Sequence, residues 1–203
     1  MKLYYKPGAC SLASHIALHE TGAAFEIEAV DTDAGRTETG DDFRAISPNG
    51  YVPALQLDDG AILTEGAAVL QWIADRHPEA GLAPEAGTID RARLHEALNW
   101  ISAELHKAFG PLFDSSATED EQAAARIAVA AKFDRVEAQF SDGHAWMVAD
   151  RFSVADAYLF AVANWANFTG IDLDRWPNLA AFVARVAERP TTQNAMKAEG
   201  LIQ

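Results

Sequence analysis

The sequence predicts a small mixed α/β unit followed by an all-helical one, on three observations. The first 80 residues alternate short β-favouring runs with two helical repeats. Residues 79–87 then form a Gly, Pro and Ala-rich break. Beyond the break every apolar pattern has helical spacing, almost to the end. The expected division is an α/β domain at 1–80, a linker at 81–87 and an all-helical domain at 88–203.

Taken in order, the strand candidates are Lys2–Tyr5, Phe25–Val30, Ala54–Leu57 and Ala61–Leu63. The last two flank Asp58-Asp59-Gly60, a strong hairpin signal. One helix runs Ser11–Thr21 and closes on Gly22; another runs Gly66–Arg76 and closes on His77-Pro78. The irregular segment Asp31–Gly50 has room for a short helix around Asp42–Ile46. In the second domain, Thr88 caps a helix with Leu94, Leu98, Ile101, Leu105, Phe109 and Leu112 on one stripe. Thr118 and Glu121 form a capping box for a helix bearing Ile127, Phe133, Val136 and Phe140. Helices near Val154–Phe168, Leu179–Glu188 and Thr192–Glu199 complete the reading.

Composition excludes several functions. With 16 Lys and Arg against 30 Asp and Glu, the formal net charge is −14, which disfavours nucleic acid and anionic membranes. The N-terminus lacks a signal-peptide pattern, and no apolar run is long enough to span a membrane. The expectation is a soluble, cytoplasmic protein. A single cysteine permits no disulfide framework. His15 and His19 have the spacing of a helical ligand pair, but no acidic partner or third ligand accompanies them, so no metal site is expected.

The one cysteine, Cys10, lies after a Pro7-Gly8 turn where the first strand gives way to the first helix. A lone cysteine is most often a small buried hydrophobe. This position, however, is near the unsatisfied N–H groups of a helix start, which stabilise a thiolate. A helix end contributes about 0.3–1 kcal/mol, less than one pKa unit, so ionising Cys10 requires further donors. In Gly50-Tyr51-Val52-Pro53-Ala54-Leu55 the proline suits an ordinary strand start. A cis Val52–Pro53 bond would instead turn the Val52 backbone outward, to pair with a peptide-like ligand. In Leu63-Thr64-Glu65-Gly66, capping explains the residues, and so does recognition of an ammonium and a carboxylate.

On the helix after Thr88, at about 100° per residue, Asn99, Ala103 and His106 fall within about 60° of one another, away from the apolar stripe. Lys107 borders that face, which a solvated polar surface would also explain. Finally, Ser153 with Asp156 reads as a structural capping box for a buried helix.

Taken together these residues resemble the glutathione S-transferase family, in particular its bacterial beta class. The carrying motifs are Tyr5-Lys6-Pro7-Gly8-Ala9-Cys10-Ser11-Leu12-Ala13, Pro48-Asn49-Gly50-Tyr51-Val52-Pro53-Ala54-Leu55, Leu63-Thr64-Glu65-Gly66, Glu104-Leu105-His106-Lys107 and Phe152-Ser153-Val154-Ala155-Asp156. The resemblance implies a thioredoxin-like N-terminal domain, an all-helical C-terminal domain and a homodimer. It implies that Pro53 is cis and that Val52 pairs with the cysteinyl backbone of glutathione. Glu65 and Gly66 would hold the γ-glutamyl end, and Cys10 would meet the sulfur. Asn99 and the turn Ala103, Glu104, Leu105, His106 would complete the site, with Glu104 reaching glutathione bound to the partner subunit. His106 and Lys107 would supply the positive or hydrogen-bonding character that Cys10 needs.

One departure concerns the segment Asp31–Arg36. Beta-class relatives commonly place a lysine there, near the glycine carboxylate of glutathione, whereas this chain has Gly35. Arg36 is the candidate replacement, with somewhat weakened affinity expected.

The implied activity is conjugation of the glutathione thiolate to small hydrophobic electrophiles, with glutathione as co-substrate and no resident cofactor. Tyr5, Phe109, Phe113, Trp165 and Phe168 are the candidate lining of the electrophile pocket. Cys10 has two available roles, hydrogen-bond donor to the glutathione thiolate or nucleophile in thiol–disulfide exchange. The alternative to an enzyme is a transferase-like binding or stress-response partner without turnover.

Overall fold

The computed structural model describes residues 1–203. In chain order its elements are β1 (Lys2–Tyr5), α1 (Ser11–Thr21), β2 (Glu26–Asp31), β3 (Arg36–Thr37), α2 (Phe43–Ile46), β4 (Ala54–Gln56), β5 (Ile62–Thr64) and α3 (Gly66–Arg76). There follow α4 (Ile89–Trp100), a π-helical turn (Ile101–Leu105), α5 (His106–Ala108), α6 (Gly110–Phe113) and α7 (Glu119–Gln139). The last helices are α8 (Val154–Ala163), α9 (Ala166–Thr169), α10 (Pro177–Ala187) and α11 (Pro190–Ala198). No helix is long and apolar enough to cross a membrane.

Packing divides the chain into two compact units: Met1–Pro84 with Glu188–Gln203, and Glu85–Ala187. The composition boundary gave the whole of 88–203 to the helical domain. Residues 188–203 instead pack with the first unit, because α11 lies against α1.

The first unit is a thioredoxin-like mixed sheet of order β3-β2-β1-β4-β5. β2 runs parallel to β1, which the α1 crossover requires, and the other pairs are antiparallel. The two-residue strand β3 has no sequence signature of its own. Alternation along β1 sends its neighbours to opposite faces. Tyr4 joins Val30, Phe43 and Ala54 in one buried cluster. Tyr5 lies beside His15 of α1, ring centroids 5.9 Å apart. Gly22 closes α1 in the left-handed conformation (φ 68°), where a side chain would be strained.

Helix α11 is tied to α1 by polar contacts in an apolar setting. The Glu199 side chain, 0% exposed, accepts from the Gly8 N–H at 2.9 Å and pairs with His15 Nδ1 at 2.9 Å. Arg189 grips both Glu20 oxygens at 2.8 Å. Truncating Glu199 removes the carboxylate partner of a buried imidazole and of the Gly8 amide. Glu199→Ala should therefore cost about 3 kcal/mol of stability, read as a shift in the urea midpoint. A midpoint that does not move would remove this contact from the stabilising set.

In the helical unit both predicted capping boxes form, at Thr118/Glu121 and Ser153/Asp156. Two other expectations change. Ile127 is 73% exposed, because α7 turns Ala125, Val129, Phe133 and Val136 inward. The single helix expected over Val154–Phe168 is two, α8 and α9. Trp165 N–H bonds to Val162 O (3.2 Å) and Phe168 N–H to Trp165 O (3.0 Å), a tightened three-residue turn that interrupts the helix.

The stripe expected from Leu94 to Leu112 faces inward as far as Phe109, but the single helix expected to carry it is interrupted. Its Leu94, Leu98, Ile101, Leu105 and Phe109 are fully buried. The π turn at Ile101–Leu105 adds backbone to one turn, so an angular position computed at α-helical pitch no longer holds beyond it.

Candidate functional site

In the first unit, Cys10 stands at the N-cap of α1, with α-helical φ −59° and ψ −21°. The loop before it is pinned by Ser11, whose Oγ exchanges hydrogen bonds with the Lys6 backbone at 3.3 Å, and by Glu199 at Gly8. Its half-buried thiol donates to the Val52 carbonyl at 3.3 Å. The thiol is thus seen as a donor, and it occupies the acceptor that a docking peptide would use.

The Val52–Pro53 bond is cis. Ser47 steadies the preceding turn, its Oγ donating to Tyr51 O at 3.1 Å. Gly66, the first residue of α3, lies against the Pro53 ring; a Cβ there would stand 3.7 Å from Pro53 Cδ. Glu65, exposed, adopts φ 68° and ψ 109°, one of two non-glycine residues with positive φ. Its conformation is strained by roughly 1–3 kcal/mol. Cys10, Val52, Pro53, Glu65 and Gly66 therefore line one continuous stretch of this unit. Tyr5 does not join them. It is 7% exposed and packed on His15, and burial raises its phenol pKa, with Glu199 and Glu38 adding to the effect. It is a core residue.

Arg36, the sequence candidate for a carboxylate partner, donates to the Gly40 carbonyl at 2.9 Å. Arg44 was not singled out in the sequence, and it lies beside Gly35 and Gly50.

In the second unit, Asn99 on α4, Ala103 and Glu104 on the π turn and Lys107 on α5 are exposed. Leu105 is fully buried, so only its backbone is available to a ligand. The Glu104 carboxylate is held by Lys132, which also lowers its pKa. His106 departs most from expectation. Its Nδ1 is 3.0 Å from the Tyr158 hydroxyl, and its ring meets Trp165 edge-on at 4.9 Å.

Burial, and secondarily the charge of Lys107, pushes the His106 pKa down to about 4. The imidazole is therefore neutral at physiological pH and supplies a hydrogen bond, not a positive charge. Around it Phe109, Phe113 and Trp165 form an aromatic cluster with centroid distances of 5.2–6.4 Å. Phe168 is 64% exposed and makes none of these ring contacts.

Asp156, 0% exposed, accepts from Ser153 N–H (2.8 Å), Ser153 Oγ–H (2.7 Å) and Met147 N–H (2.7 Å). Its role is structural, fastening the 147–153 loop to the start of α8. No group of three or more His, Cys, Asp or Glu side chains is placed to hold a metal ion.

The chain is similar to known proteins along its whole length. Residues 8–76 match the glutathione S-transferase N-terminal domain and residues 100–190 the glutathione S-transferase C-terminal domain. The chain is 47% identical over 201 residues to glutathione S-transferase GstA of Escherichia coli O157:H7, covering 99% of this chain and 100% of that one. It is 39% identical over 208 residues to glutathione S-transferase GST-4.5 of Xanthomonas campestris, covering 99% and 100%.

Among solved structures, it superposes on a bacterial beta class glutathione S-transferase of Sphingomonas chungbukensis with a TM-score of 0.97, 47% identity and full coverage of both chains. A sphingomonad glutathione S-transferase complexed with glutathione matches with a TM-score of 0.95 and 45% identity, again over the whole of both chains. On its motifs, its fold and these matches, the chain belongs to the bacterial beta class of the glutathione S-transferase family.

Proposed function

We infer that the protein binds glutathione along the Cys10–Val52–Glu65 stretch and transfers its thiolate to small hydrophobic electrophiles. The Cys10 Sγ to Val52 O hydrogen bond carries this reading. A glutathione whose cysteinyl N–H pairs with Val52 O displaces the thiol from that acceptor. The Cys10 S–H then donates to the incoming sulfur, which enters as a thiolate after losing its proton to solvent. Cys10 stays protonated in this scheme.

The γ-glutamyl end is assigned to Glu65 and to the backbone N–H groups at the start of α3, the carboxylate meeting its ammonium and the amides its carboxylate. The aromatic cluster of Phe109, Phe113 and Trp165, with neutral His106, suits an apolar electrophile. On the family resemblance, Asn99, Ala103, Glu104 and Lys107 of the helical unit are assigned a binding role. Reach of Glu104 into a partner subunit requires release from Lys132. Glutathione serves as co-substrate, with no resident cofactor. A homodimer and a cytoplasmic location are proposed on kinship with the bacterial relatives.

A nucleophilic Cys10, forming a mixed disulfide, is the competing role. Mass spectrometry after incubation with oxidised glutathione separates the two, alongside turnover of an aryl halide by wild type and Cys10→Ser. In the donor role, wild type takes up no glutathione adduct and Cys10→Ser, which keeps a donor, retains most turnover. A one-glutathione adduct that disappears in Cys10→Ser assigns Cys10 as nucleophile. Binding of glutathione without turnover in either protein would favour a non-catalytic partner.

A further inference from the structure

We propose that Tyr158 is a positioning residue for His106, fixing the imidazole proton on Nε2 so that the ring meets the reactants as a donor. The proposal rests on the transferase reading above and adds to it a residue that stood in none of the motifs.

Tyr158 is rigidly placed. It lies on α8, whose residues are all buried, and is itself 3% exposed. The Ser153/Asp156 capping box fixes the start of that helix just before it. A phenol at such a depth needs a hydrogen-bond partner, and this one is 3.0 Å from His106 Nδ1. The two rings stand at 89° with centroids 6.2 Å apart, so the hydroxyl makes the contact and not a stacked face. Trp165, packed on the same imidazole at 73° between ring planes, restrains its rotation.

The direction of this bond decides what His106 can do. A neutral imidazole carries one N–H, and its other nitrogen accepts. Between a phenol and such a ring, the phenol is the stronger acid and the bare ring nitrogen the stronger base. The Tyr158 O–H therefore donates to Nδ1, and the imidazole proton resides on Nε2. The reverse arrangement would pair the weaker donor with the weaker acceptor. Nε2 bonds nothing within the chain and is not buried, so a ligand can reach it.

In this tautomer the accessible nitrogen gives a hydrogen bond and cannot take a proton. His106 is thereby kept from acting as general base toward the glutathione thiol. It is suited instead to negative charge that develops during reaction. When the glutathione thiolate adds to an aryl halide, the new C–S bond pushes charge onto the ring substituents. The halide then leaves with its electron pair, and an N–H donor lowers the energy of the charged stage.

The test combines imidazole nitrogen NMR of His106 with conjugation of glutathione to an aryl halide, in wild type, Tyr158→Phe, His106→Ala and the double variant. The wild-type proton should be found on Nε2, and Tyr158→Phe should populate the Nδ1–H tautomer as well. Tyr158→Phe should lower kcat about tenfold with both KM values little changed. Added to His106→Ala, it should cost nothing further. A wild-type proton on Nδ1, or an unchanged tautomer in folded Tyr158→Phe, would overturn the assignment. So would additive losses in the double variant, the mark of a purely structural tyrosine. If Tyr158→Phe does not fold, the wild-type spectrum decides alone. A wild type with its proton on Nε2 but without turnover would overturn the transferase reading and leave the Tyr158 assignment standing.

Discussion

Asp156→Ala is expected to destabilise the folded protein by about 4 kcal/mol, among the largest effects available to a single substitution here. The carboxylate satisfies three donors, two of them backbone amides, with no exposure to solvent. Truncation strands all three and leaves a cavity. Urea unfolding reads the result, and a loss below about 1 kcal/mol would refute the account.

The same residue gives a pH signature. Burial raises the Asp156 carboxyl to about 6, above its usual 3.8. The native state therefore favours the protonated form. That contribution is complete below the unfolded value and is lost as pH rises through 6, about 3 kcal/mol in all. His106 acts in the opposite sense. Its folded pKa of about 4 lies below the unfolded 6.5. Its contribution is present above 6.5 and lost as pH falls through 4, again about 3 kcal/mol. Between pH 4 and 6 the two offset each other. Asp156→Asn removes one side, so its stability should fall by about 3 kcal/mol more than wild type from pH 7 to 4. Parallel midpoints at pH 4, 5, 6 and 7 would contradict this balance.

The second large effect falls on Glu65. Its left-handed φ of 68° is costly for a residue with a Cβ and ordinary for glycine. Glu65→Gly should raise stability by about 1 kcal/mol, the relief being partly offset by a more flexible unfolded chain. The same change should weaken glutathione about 100-fold, through loss of the charged partner to its ammonium. Thermal unfolding and a binding titration on one preparation measure both. A variant that is less stable, or that binds unchanged, would show that the strain serves no ligand.

What the sequence revealed follows from where its signals are local. The strand, Pro7-Gly8 turn and helix around Cys10, the Asp58-Asp59-Gly60 hairpin and both capping boxes are encoded by neighbours within a few residues, and all of them form. Features set by distant contacts were hidden. The burial of His106 depends on Tyr158 and Trp165, more than fifty residues later. Strand β3 is two residues that pair only because β2 offers an edge. Leu105 and Tyr5 stood in site motifs, yet packing turned both side chains inward. Arg44 carried no signal, since an arginine in a polar segment reads as solvated surface. The glycines at 35 and 50 marked the space beside it, and only the fold shows that one side chain spans both.

The pairing of Glu199 with Gly8 also orders the birth of the protein. The helical unit is inserted in the chain between Pro84 and Glu188, not appended after a finished domain. On the ribosome, the loop that carries Cys10 emerges early, but the carboxylate that anchors it is synthesised after the whole helical unit. The nascent N-terminal segment therefore waits, with the α1 face that α11 covers still open, until the last helix arrives. Maturation of the thiol's surroundings is thus coupled to completion of synthesis through residue 199, so a chain stalled in the helical unit would display Cys10 without its anchored setting.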